Sequence, residues 1–116
     1  MSEPTTSAKE ELILMALHNW AYIYLSPGFD PDKNVVITES ENCRFTAVGI
    51  DFKDKAKVVE LAKRLVADGA QMIELCGGFG PVWIAKVTEA LEGSVPVGGV
   101  AYGPEWRRPM LEILEQ

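Results

Sequence analysis

From Arg44 to the C-terminus the apolar residues alternate between two spacings, and this alternation constrains the fold more than any other feature of the chain. Arg44 to Ile50 is rich in β-branched and aromatic residues, the composition of a strand. Asp54 can then cap a helix in which Val58, Leu61, Ala62, Leu65 and Val66 fall at i, i+3, i+4, i+7 and i+8, while Lys57, Glu60, Lys63 and Arg64 face away. Gly69 supplies its left-handed exit. Gln71 to Cys76 reads as a second strand. Val82 to Glu92 reads as a second helix with Ile84, Val87, Thr88 and Leu91 on one face and Gly93 at its end. Val95 to Tyr102 is a third strand, and a short helix from Pro109 to Leu114 closes the chain. Parallel strands need crossovers of about a dozen residues, and these are overwhelmingly right-handed. The C-terminal half is therefore expected to be a parallel β-α-β-α-β unit with its helices packed on the sheet.

Upstream, Trp20 to Leu25 is a strand ending in the turn residues Ser26-Pro27-Gly28, and residues 26 to 33 form a loop. Val35 to Thr38 and Arg44 to Ile50 are separated only by a short polar stretch, which suits a hairpin. These strands extend the sheet to about five, of mixed direction. Residues 1 to 19 read as an N-terminal extension carrying a helix from Ser7, with Glu10 completing a capping box, to Leu17. Residues 20 to 116 read as a single α/β domain, since a chain of 116 residues is too short for two independent cores.

Several function classes are excluded at this level. A net charge of -6 argues against a nucleic-acid partner, whose phosphates require clustered Lys and Arg. One histidine and two cysteines do not make a zinc site, and no metal is expected. No stretch approaches the roughly 20 apolar residues that span a bilayer. The run from Leu12 to Leu17 follows Glu10 and Glu11, which is the wrong length and charge for a signal peptide, so a cytoplasmic protein with reduced thiols is expected. If the strands that Cys43 starts and Cys76 ends are neighbours, the sulfurs stand on the order of 20 Å apart, outside disulfide reach. Gly78-Phe79-Gly80 begins like a dinucleotide loop, but Trp83 replaces its third glycine, and no Gly-Lys-Ser or Gly-Lys-Thr is present. No cofactor is expected.

One constellation points to a site. Phe79-Gly80-Pro81-Val82-Trp83 and Tyr102-Gly103-Pro104-Glu105-Trp106 share the pattern aromatic-Gly-Pro-x-Trp, each where a strand gives way to a helix. Ligands of open α/β sheets bind beyond the carboxyl ends of the strands, where helix starts present unpaired N–H groups. The candidate binding residues are thus Gly77, Gly78, Phe79, Gly80, Trp83, Tyr102, Gly103, Trp106 and Arg107, around a small polar or anionic molecule. The same junctions also serve packing alone. Glu74 and Cys76 lie on one side of their strand with Met72 and are the candidate catalytic residues: Glu74 as a general base, Cys76 as a nucleophile. Each also has a purely structural reading, a paired carboxylate and a small buried thiol. Arg44, Arg107 and Arg108 are possible countercharges. Tyr22 and Tyr24 share a face.

Tyr22 to Gly28 and Ile73-Glu74-Leu75-Cys76-Gly77-Gly78-Phe79-Gly80-Pro81, followed by Lys86-Val87 and Val95 to Gly98, resemble a family of small prokaryotic α/β proteins classed as a domain of unknown function. The resemblance covers about residues 20 to 103, and Glu-Leu-Cys-Gly-Gly-Phe-Gly-Pro is its specific part. It implies one compact cytoplasmic domain and carries over no activity or catalytic residue. Three readings follow: a domain that binds a small anion at the carboxyl ends of its parallel strands, a small enzyme using Glu74 or Cys76, or a homodimeric or larger interaction module built on its aromatic surface.

Overall fold

A computed structural model describes residues 16–115; the helix expected from Ser7 lies outside that range except at its last two positions, Ala16 and Leu17, which are not helical. Strands β1 (Asn19–Leu25), β2 (Val35–Glu39), β3 (Arg44–Ile50), β4 (Ile73–Leu75) and β5 (Val97–Gly99) form one sheet in the order β2-β3-β1-β4-β5. The β2–β3 hairpin is antiparallel and every other pair is parallel. This is the mixed five-stranded sheet that the sequence predicts, with one rearrangement. β1 does not extend the sheet outward; it is inserted between β3 and β4. Its composition suits that place, because Ala21 and Ile23 bury completely on one face while Trp20, Tyr22 and Tyr24 cover the other.

Helix α1 (Val58–Ala67) joins β3 to β4, α2 (Gly80–Ala90) joins β4 to β5, and α3 (Pro104–Leu114) follows β5. Both crossovers travel toward the β5 edge, so right-handed connection places α1 and α2 on the same face, where they touch each other. The core forms there, Ile23, Val48, Ile50, Ile73 and Leu75 of the sheet meeting Val58, Leu61, Ala62, Val87 and Leu91. Each large side chain of this set contributes roughly 1.5–3 kcal/mol by leaving water. The opposite face carries Trp20 against Phe45, with ring centroids 4.4 Å apart, and Tyr22 stacked on Tyr24 at 6.1 Å. Among the described residues no helix runs along that face. α3 lies instead at the carboxyl ends of the strands, its Leu114 reaching Gly78.

Some details differ from expectation, each for a local reason. Asp54 does not cap α1, whose N-cap Lys57 makes no side-chain cap bond; the capping side chain is Asp51, the first residue beyond β3, which has extended backbone and accepts from the Lys53 N–H at 3.0 Å. A 3-10 turn, Phe52–Lys57, then precedes α1 and contains Asp54. β5 is three residues rather than eight, because β4 ends at Leu75 and the chain beyond Val100 has no strand to pair with. α3 starts at Pro104, where a missing N–H leaves no bond unmade, and runs through Pro109. Thr88 does not join the core; it is exposed and its hydroxyl donates to the Ile84 carbonyl at 2.7 Å.

Candidate functional site

The turn after β4 is shaped by three residues with different tasks. Phe79 is 4% exposed and anchors the turn in the core, while its N–H donates to the Cys76 carbonyl. Gly80 adopts a φ of +75°, which a side chain would resist, and so starts α2 in a direction other residues cannot. At Gly77 a Cβ would stand 2.5 Å from the Tyr102 ring, so the absence of a side chain lets Tyr102 close against the turn. The result is a recess of about 280 Å³ at the carboxyl ends of β4 and β5, lined by Gly77, Gly80, Pro81, Gly99, Tyr102 and Arg107, with Ile84, Val100, Ala101 and Met110.

The two glycine–proline junctions follow neighbouring parallel strands and so stand on one rim, but only Gly80–Pro81 lines the recess. Of the residues singled out by sequence, Gly77, Gly80, Tyr102 and Arg107 meet in the recess. The others do not line it. Gly78 offers its carbonyl to Lys55 Nζ at 3.1 Å. Trp83 packs on the core with Lys86 Nζ 4.2 Å above its ring. Trp106 is 62% exposed and borders a separate apolar groove with Pro109 and Ile113. A Cβ on Gly103 would meet the Glu105 carboxylate, so the start of α3 already has an acidic group of the chain beside it. The start of α2 has no acidic residue in its first turn and is the more electropositive of the two.

Glu74, the register partner of Tyr22, and Cys76, the first residue beyond β4, sit on the aromatic face. The Cys76 thiol accepts the Leu25 N–H at 3.3 Å. Burial, then the neighbouring Cys76, Tyr102 and Glu74 in that order, push the Tyr22 phenol above its ordinary range, so it stays a neutral donor. Among the described residues Glu74 has no ion pair; Arg108 lies 3.7 Å from Glu112 instead, and Arg44 begins β3 at the far end of the sheet. His18 is also at that far end, its N–H bonded to Gln71 Oε1 at 2.7 Å, and Cys43 lies there too, both cysteines being free.

Lys55 is the rim residue that sequence reading missed. It is half-buried and holds the Gly78 carbonyl, and the only signal for it was its place in the turn that leaves β3 on the same rim. Among the described residues no group of three or more His, Cys, Asp or Glu could hold a metal, and no helix is long and apolar enough to cross a membrane.

The fold and rim define a two-layer α/β domain with one bare sheet face and a recess beyond its parallel strands. The chain belongs to a family of unknown function, DUF6506, which matches residues 18–115 and so takes in His18 and α3 as well as the motif region. No curated protein and no solved structure matches the chain.

Proposed function

We propose that the protein binds a small anionic molecule in the recess at the carboxyl ends of β4 and β5. The observation that carries this reading is the convergence on one cavity of Arg107 and the Gly80–Pro81 start of α2, a helix end whose first N–H groups have no intrahelical partner. Gly77 and Gly99 bring backbone close to the ligand, and Tyr102 supplies a hydroxyl and an apolar wall. Thermal-shift measurements against small carboxylates and phosphates test it. A ligand at 100 times its dissociation constant stabilises the folded chain by about 2.7 kcal/mol. That rise is expected in the wild type and strongly reduced in Arg107→Gln; no ligand of either class raising the melting temperature would sink the reading.

A second reading concerns assembly and rests on α3. Trp106 and Ile113, seven positions apart on one face with Pro109 and Met110 between them, are exposed on a helix that makes little contact with the rest of the chain. Behind Glu105 in its first turn the helix carries Arg107 and Arg108, and its far end carries Glu112 and Glu115. An antiparallel pairing of two copies about a two-fold axis covers the apolar stripe and sets these opposite charges side by side.

A further inference from the structure

A second recess lies at the other end of the sheet. β2 is an edge strand whose Val35 and Ile37 pair with Val48 and Thr46 and point to the same face as α1, but α1 does not reach far enough to cover them, and both remain about half exposed. Between them and the α1 ridge of Leu61, Arg64, Leu65 and Asp68 is a cavity of about 220 Å³. Its floor is built from buried residues: Val48, Leu61, Pro31 and Thr46, the last only 8% exposed. Asn19 and Arg44, at the amino ends of β1 and β3, close one end, and Arg64 of α1 stands on the wall.

We infer that this cavity is a binding site for a monovalent carboxylate with a short aliphatic tail, distinct from the recess at the opposite rim. Three observations choose the ligand. The apolar walls fit a hydrocarbon chain and give a purely polar ion nothing to cover. Arg44 and Arg64 both line the cavity, and among the described residues neither has a carboxylate within ion-pair distance, although the chain carries 17 acidic residues against 11 basic ones. Planar guanidinium groups accept a carboxylate through paired hydrogen bonds. Asp68 at the mouth and Glu39, opposite Arg44 across the β2–β3 pair, put acidic groups beside the two arginines and so favour a singly charged ligand over a doubly charged phosphate. The carboxyl end of α1 adds little repulsion, because the Arg64, Leu65 and Val66 carbonyls are already taken by the N–H groups of Asp68, Ala70 and Gly69.

The test is a titration of the full chain with hexanoate, followed by amide NMR. Saturable shifts are expected at Val35, Ile37, Thr46, Leu61 and Leu65. Arg44→Gln and Arg64→Gln should each weaken binding about tenfold, the effect of losing a hydrogen bond to a charged group. Arg44→Lys should recover part of the loss and Asp68→Asn should tighten binding severalfold. These side chains are exposed, so the variants keep the dispersed spectrum that shows folding. The affinity is read only from those amides, so that any hexanoate taken up in the other recess, seen at Gly77 and Tyr102, is scored separately. The inference is overturned if hexanoate leaves those amides unmoved, if hexanamide binds as tightly, if inorganic phosphate binds more tightly, or if the two arginine variants bind like the wild type.

Discussion

At the scale of single residues, the bare sheet face is held together by a glycine. Gly49 in β3 lies under the Phe29 and Tyr24 rings, which meet edge-on at 5.8 Å, and a Cβ there would overlap Phe29 outright. Gly49→Ala should therefore destabilise the fold by about 1–3 kcal/mol, read as a lower urea midpoint with an unchanged slope. Asp51 works by charge. Its carboxylate accepts N–H bonds from Lys53 and Gly28, tying the loop after β1 to the turn after β3, and these bonds hold its carboxyl below the usual carboxylate range. A group depressed in the folded state stabilises above its unfolded pKa and loses that contribution as pH falls through the folded value. Asp51→Asn should thus lower the melting temperature at neutral pH, and the gap to wild type should close below about pH 4.

At the scale of elements, α3 is the piece most loosely tied to the rest. Pro109 removes the N–H that would bond the Glu105 carbonyl, and no residue of the helix is fully buried. Pro109→Ala should restore that bond and slow hydrogen exchange across residues 107–113, while the urea midpoint stays nearly where it is because the core does not include this helix. Legibility in the sequence followed the same division. α1 could be read in advance because its apolar residues recur at helical spacing and its charges face away, information held within a dozen positions. The early start of α3 could not, since two prolines five positions apart look like two boundaries until the first is seen to occupy the helix start. The site was legible in part for a similar reason: glycine–proline junctions mark a rim locally, but which side chains turn toward it depends on packing across the sheet. Phe79 and Trp83 went to the core on that account. The Arg44–Arg64 cavity joins residues from four separate elements, and nothing in their spacing announces it.

At the scale of the whole molecule, the question is what meets the exposed α3 stripe. If two copies pair through it, sedimentation at rising concentration should show a dimer, and Trp106→Glu with Ile113→Glu should give a monomer that still folds, because both side chains are on the surface. A wild-type monomer at every concentration would count against pairing.

The middle strand of the sheet comes from the front of the chain. β1 is made early in synthesis, yet its partners are β3 and β4, and Ile73 and Leu75 emerge only after most of the domain has been translated. Until then Trp20, Tyr22 and Tyr24 have only the neighbouring hairpin to shelter them. A nascent domain of this design holds its aromatic strand half-paired until β4 appears, and in that interval the open edge is free to join another chain.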